Sequence, residues 1–311
     1  MWRAIDPALE FVVLPDEGTL EPTELERIDM AVFSADLWLE GRGAPFMRAL
    51  LSAPHAGWLH MFSAGLDDPV FARLAERGLT ITHSAGSSAT PIAHTVIMNV
   101  IALCKGGRRW QVAQTEHRWA SGPTTDVEGR RMGIVGLGAI GSEIARLAPH
   151  FGIEVIGLRR APDGTETCPT VTVDRLHEVL PMLDDLVLAA PLTDATRGLI
   201  GAAELALLRP GAHVHNVGRG ELLDEHALIE ELQRGHVGGA ALDVFAVEPL
   251  PADSLLWDMP NVIVTPHSAG TTPLASQRAA EVFTTNLRLL TAGQPLTNVG
   301  FGRSVPPLRQ K

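Results

Sequence analysis

Arg219, Glu248 and His267 each follow an apolar run and sit among turn-forming residues. The segments are Asn216-Val217-Gly218-Arg219-Gly220 after 212–217, Asp243 to Pro249 after 239–244, and Thr265-Pro266-His267-Ser268-Ala269-Gly270 after 262–265. Apolar runs of this length, bounded by Gly and Pro, read as buried parallel strands. Ligands of open α/β sheets bind outside the carboxyl ends of the strands, so these three residues could share one site. The chemistry they suit is reduction of a carbonyl next to a carboxylate. The guanidinium fork of Arg219 can grip an α-keto acid and polarise its carbonyl. His267 can move a proton near neutral pH. Glu248 beside it would stabilise the imidazolium and fix the ring. Reduction needs His267 protonated; oxidation needs it neutral. Taken singly, an Arg between glycines, a Glu before Pro and a His after Pro are most often loop residues. Their weight comes from standing at consecutive strand ends behind a cofactor motif. His213 and His215 form an H-x-H pair, but no third ligand is evident in the sequence, so no metal site is expected.

No side chain supplies hydride, so the chain must bind a cofactor that does. The segment 131–160 contains the required motif. Met132 to Val135 reads as a strand, Gly136-Leu137-Gly138-Ala139-Ile140-Gly141 is a G-x-G-x-x-G, Ser142 to Phe151 has helical spacing, and Ile153 to Leu158 reads as the next strand. Strand, glycine turn, helix and strand make the unit that binds dinucleotides. Gly136 allows the tight turn, Gly138 lets backbone approach a pyrophosphate, and Gly141 lets helix and strand pack closely. The helix N-terminus then holds the phosphates. About 20 residues on, an NAD site places an acid against the ribose hydroxyls. Here Arg159 and Arg160 stand instead. Two guanidinium groups suit a 2′-phosphate, which favours NADP(H) and leaves NAD(H) possible.

The elements that carry these residues follow from the rest of the pattern. Before the glycine motif, Phe11–Leu14, 29–34, 58–62 and 79–83 read as strands, with helices at 45–51 and 70–76. That βαβα alternation lacks a phosphate-binding fingerprint. Thr90-Pro91 opens a long helix to Cys104, read as the crossover between two domains. Further strands are expected at 186–190, ending at Pro191 with Thr196 after it, and at the three site segments, for about six parallel strands. A helix at 276–290 closes the chain. The 311 residues allow two domains. The net charge of −11 argues against a nucleic-acid partner. Cys104 and Cys168 form neither a disulfide framework nor a ligand pattern, which fits a reducing cytosol. The N-terminus lacks a basic-then-apolar leader, and the longest apolar stretch, near 96–104, is too short to span a bilayer, so a cytoplasmic protein with no membrane partner is expected. Tyrosine is absent, which removes a Tyr acid from consideration.

At this point the chain resembles the D-isomer-specific 2-hydroxyacid dehydrogenases. The matching segments are GLGAIG (136–141), APLTDATRGLI (190–200), HNVGRGELLDEHAL (215–228), AALDVFAVEPLP (240–251) and LWDMPNVIVTPHSAG (256–270), with looser matches at SAGLD (63–67) and the Pro91 helix. The resemblance implies two doubly wound parallel-sheet domains: a Rossmann cofactor domain, 98–279, inserted into a flavodoxin-like substrate domain, 1–97 with 280–311. It implies Arg219, Glu248 and His267 as catalytic residues. It implies backbone N–H groups near Ala64 and Gly65 as the holders of the substrate carboxylate. Ala139, Ile140, Pro191, Thr196, Val217 and Asp243 are expected to contact the cofactor, Asp243 near its carboxamide. A homodimer built through the crossover helix and the arm at 108–119 is implied as well. Trp38, Phe62, Leu66, Leu222 and Trp257 are candidates to wall the substrate pocket.

The chain departs from the family pattern at two positions. Arg159 replaces the acid, as in NADP-preferring glyoxylate/hydroxypyruvate reductases, and Ala93-His94 stands where Ala-Glu is common. The expectation is reduction of a small 2-keto acid to the D-2-hydroxy acid. The alternatives are an NAD-linked enzyme of the 3-phosphoglycerate type and a dinucleotide-sensing corepressor.

Overall fold

A computed structural model describes residues 2–34, 36–37 and 40–302. The chain forms two units, 1–87 with 272–311, and 88–271. Among the described residues no helix is long and apolar enough to cross a membrane.

The larger unit is built on seven strands: β4 (Arg131–Val135), β5 (Glu154–Arg159), β6 (Thr170–Thr172), β7 (Asp185–Leu188), β8 (Ala212–Asn216), β9 (Val237–Leu242) and β10 (Val262–Val264). All neighbours pair in parallel, in the order β10-β9-β8-β7-β4-β5-β6. The order reverses direction at β4, so the glycine motif after β4 lies at the switch point where such sheets bind dinucleotides. The short strand β6 was not expected. Its three residues are only half-buried, so no apolar run marked it in the sequence.

The smaller unit carries β1 (Met30–Phe33), β2 (Trp58–Met61), β3 (Thr80–His83) and β11 (Val299–Phe301), in that order. The first three are parallel, and β11 closes the edge antiparallel to β3. Phe11–Leu14 is not a strand. Arg42 donates 2.7 Å hydrogen bonds to the carbonyls of Leu14 and Pro15, which removes acceptors a sheet would need, and Val13 is 79% exposed.

The division between units also differs from the expected 97/98 and 279/280. Each long helix falls whole into one unit because its buried face packs there. Helix Ala89–Lys105 turns Ala93, Val96, Ile97 and Val100 onto Met132, Ile134 and Ile144 of the larger unit. Helix Pro273–Thr291 buries Phe283 and Leu287 against Trp58 of β2. At roughly 1.5–3 kcal/mol per buried large apolar side chain, such a face decides where a helix belongs.

The smaller core encloses a polar chain. Trp58 Nε1 donates to Thr82 Oγ1 at 2.8 Å; His60 lies with Nδ1 2.7 Å from the same hydroxyl and Nε2 3.1 Å from Ser84 Oγ. Burial, with His83 nearby, pushes the His60 pKa down to about 4. The folded protein therefore resists a proton that the unfolded chain accepts near pH 6.5. Stability from this group is complete above pH 6.5 and is lost as pH falls towards 4, by roughly 3 kcal/mol at the limit. Denaturant unfolding of wild type at pH 7 and pH 4.5 should show this loss, and His60→Gln should flatten it. Equal pH dependence in both proteins would contradict it.

Candidate active site

The glycine turn is fixed by close backbone approach. Gly136 has φ +97°, and a Cβ there would sit 2.6 Å from the backbone of Ala190. A Cβ on Gly141 would lie 1.9 Å from the carbonyl oxygen of Gly136. Gly138 is different: its missing Cβ would meet no protein atom within 4 Å. It is also the N-cap of helix Ala139–Leu147 and brings no side chain to cap it. The helix start is thus an open cradle with Ala139 and Ile140 in its first turn. That donor set fits a dinucleotide pyrophosphate.

Side chains around the cradle are held by their own loops. Thr196 Oγ1 donates to the carbonyl of Pro191 at 2.8 Å and accepts from Thr193 N at 2.8 Å, so this hydroxyl closes the loop after β7. Val217, after β8, is buried. Arg159 ends β5 and Arg160 follows it, exposed. Arg159 Nη1 lies 2.8 Å from Glu166 Oε1 and 3.0 Å from Asp163 Oδ2.

Three strand-end loops carry the charged residues. After β8, the buried Asn216 side chain accepts from Gly218 N at 3.1 Å and donates to the carbonyl of Arg219 at 2.8 Å, which shapes the turn that presents Arg219. Arg219 is half-buried and its Nη1 donates to the carbonyl of Gly218 at 2.7 Å. A Cβ on Gly220 would fall 1.9 Å from the carbonyl carbon of Phe245, so the Arg219 turn lies flush against the loop that bears Glu248. Glu225 adds a hydrogen bond from Ala246 N, at 2.6 Å.

Glu248 uses both oxygens: Oε1 accepts from Phe245 N at 3.0 Å, and Oε2 lies 2.8 Å from His267 Nδ1. A carboxylate at this pair only accepts, so Nδ1 carries the hydrogen and Nε2 is the atom left to exchange a proton. His267 itself has φ +50°, a region sparsely used by non-glycine residues. Asp243 holds it there. The carbonyl of Asp243 accepts from His267 N at 2.8 Å, and its Oδ1 accepts from Thr265 Oγ1, Ser268 N and Ala269 N at 2.6, 3.0 and 3.1 Å. This anchoring of the His267 loop was missed in the sequence. The Asn216-x-Gly218 spacing, by contrast, is a readable side-chain turn signal.

Leu222 is a core residue, 1% exposed, and walls no pocket. Trp38 lies outside the described residues. Trp257 Nε1 donates to the carbonyl of Pro251, Phe62 packs on His60, and Leu66 packs beneath Gly300. Ala64 and Gly65 lie in the loop after β2 of the smaller unit. A third partner for His213 and His215 does exist: Asp185, wholly buried, with its carboxylate 3.0 Å from His215 Nε2 and 3.5 Å from His213 Nδ1. The position a cation would take is filled by Arg130, whose Nε is 2.7 Å from Asp185 and whose Nη2 donates to His213 Nδ1 at 3.1 Å. Burial alone would push the Asp185 carboxyl up, but these hydrogen bonds hold it far below the usual range. The cluster is a structural ion pair at the amino end of β7 and β8.

The fold and this strand-end site define a dinucleotide-dependent oxidoreductase architecture. The family profile "D-isomer specific 2-hydroxyacid dehydrogenase, NAD binding domain" matches residues 97–269. Glyoxylate/hydroxypyruvate reductase B of Pectobacterium carotovorum is 36% identical over 235 residues, 72% of this chain and 72% of that protein. A D-isomer specific 2-hydroxyacid dehydrogenase from Xanthobacter autotrophicus Py2, solved with NADPH and MES, is 31% identical with TM-score 0.77, covering 96% of this chain and 91% of that one. The NADPH-dependent glyoxylate/hydroxypyruvate reductase of Sinorhizobium meliloti, solved with NADP and sulfate, is 28% identical with TM-score 0.74, covering 90% and 88%. The chain belongs to the D-isomer specific 2-hydroxyacid dehydrogenase family. It is an NAD(P)-dependent enzyme of that family.

Proposed function

We propose that the protein reduces a small 2-keto acid, of the glyoxylate or hydroxypyruvate type, to the D-2-hydroxy acid with NADP(H). The observation that carries this reading is the Glu248–His267 pair, 2.8 Å apart on strand-end loops of a sheet that also holds the glycine cradle. A bound nicotinamide would supply the hydride, which no side chain can. His267 delivers a proton from Nε2 to the carbonyl oxygen as it becomes hydroxyl. Glu248 keeps the ring in the required tautomer and balances the imidazolium before the proton leaves. Arg219 binds the substrate carboxylate and polarises the carbonyl. Gly136, Gly138, Ala139, Ile140 and Gly141 would hold the pyrophosphate, and Pro191, Thr196, Val217 and Asp243 would border the rest of the cofactor. The relatives named for glyoxylate and hydroxypyruvate support the substrate class.

The same reading includes a homodimer in the cytoplasm. Met98, Trp110, Val112 and Trp119, exposed along the crossover helix and the arm after it, support an interface there. The unpaired Cys104 and Cys168 fit a reducing compartment.

Oxidation of NADPH, and separately NADH, by purified protein with glyoxylate, hydroxypyruvate, pyruvate and phenylpyruvate tests the function. Turnover with NADPH and a small acid supports it; cofactor binding without turnover on any acid overturns it. A second reading, an NAD(H)-linked enzyme, is favoured by the two carboxylates that hold Arg159. Arg159→Asp with Arg160→Ser should shift the kcat/KM ratio towards NADH by roughly a hundredfold, the loss of two charged hydrogen-bond partners. An unmoved ratio removes the 2′-phosphate from these arginines.

A further inference from the structure

The loop after β5 is pinned by one side chain. Glu166 is half-buried, its side chain 6% exposed, and its carboxylate accepts from Asp163 N and Gly164 N, both at 2.9 Å, besides Arg159 Nη1 at 2.8 Å. Gly164, at φ +82°, lets the loop fold back so that both N–H groups point at the same carboxylate. Asp163 adds a second acid on Arg159, while its other oxygen is bonded by the N–H and hydroxyl of Thr165. The backbone N–H of Asp163, above all, holds the Glu166 carboxyl below its ordinary range, so it stays ionised at working pH. Arg160 makes no ion pair among the described residues. One guanidinium, that of Arg159, thus stands with two carboxylates, and that of Glu166 is too well hydrogen-bonded to swing aside.

We propose that Glu166 is a specificity-determining residue that draws cofactor preference towards NAD(H), by holding Arg159 in a carboxylate clamp that a 2′-phosphate must share. A 2′-phosphate brings close to two negative charges. At Arg159 it meets a cation already paired twice, with both carboxylates near enough to repel it. A ribose 2′-hydroxyl is neutral and can donate to a carboxylate, so NADH meets no such opposition. Arg160 gives the phosphate its unopposed contact. The preference of this chain is therefore a balance between Arg160 and Glu166.

This inference rests on the 2′-phosphate lying at Arg159 and Arg160, so its test separates the two. Binding of NADPH and NADH to the cofactor-free protein, by calorimetry or nicotinamide fluorescence, is compared for wild type, Glu166→Gln, Asp163→Asn and Arg160→Ser, with a thermal melt of each. Glu166→Gln keeps the side-chain shape and an acceptor oxygen but removes the charge. NADPH should bind about tenfold tighter, a gain of roughly 1.4 kcal/mol, and NADH within about twofold of wild type. Asp163→Asn, at a side chain 51% exposed, should move NADPH in the same direction by less, and carries the test if the first variant does not fold. A ratio unmoved in both variants, or a parallel change for both cofactors, overturns the clamp. If Arg160→Ser then weakens NADPH alone, the clamp fails and the 2′-phosphate assignment stands. If Arg160→Ser also leaves the ratio unmoved, both fail together.

Discussion

His267→Ala should lower turnover of the 2-keto acid by about three orders of magnitude while NADPH binding stays within a few-fold of wild type. General acid catalysis by a positioned side chain contributes typically 10²–10⁴-fold. Here the position is unusually well specified. Glu248 fixes Nδ1, and the carbonyl of Asp243 holds the backbone in a left-handed conformation. The side chain is 43% exposed, so its loss creates no buried cavity and should cost little stability. Steady-state rates together with cofactor titration check this. Turnover within tenfold of wild type, with a normal melting temperature, would remove His267 from the proton-donor role. Glu248→Ala should lose less than His267→Ala, because it removes orientation and charge but leaves the imidazole.

Arg219→Ala should cut kcat/KM by roughly a hundred- to a thousandfold, with KM rising and kcat falling together. The two effects have separate origins. Loss of the fork weakens the ground-state grip on the carboxylate, and loss of the cation beside the carbonyl weakens the transition state. Arg219→Lys restores charge but not the planar fork, so it should recover only part of the loss. If Arg219→Ala raised KM alone, the guanidinium would serve binding only. If it changed the melting temperature alone, it would be a structural residue of the turn that Asn216 holds.

The glycine cradle was legible because three features agreed: an apolar strand, the glycine spacing and helical periodicity. The structure bears out the reasons for two of its glycines, at Gly136 and Gly141. The pairing of Glu248 with His267 was legible from strand-end position alone, since the parallel order puts 243–249 and 265–270 after neighbouring strands. What was not legible shares a physical character. Glu166, Asp185 and Asp243 act through carboxylates that satisfy backbone N–H groups or distant cations, and no periodicity marks such a pairing. Strands β6 and β11, three residues each, are too short to show alternation. Phe11–Leu14 had strand composition, but the carbonyl at its end, on Leu14, is taken by Arg42, a tertiary contact from 28 residues away.

The assignment of helix Pro273–Thr291 to the smaller unit has a consequence for synthesis on the ribosome. The first 87 residues emerge before the whole of the larger unit, yet the Phe283 and Leu287 that cover Trp58, and the strand that closes the edge of β3, come after it. At about 5–20 residues per second, that delay is on the order of tens of seconds. The nascent N-terminal half-domain spends it with an uncovered apolar surface and an open strand edge, while residues 88–271 already have every strand of their own sheet. The larger unit should therefore become protease-resistant first.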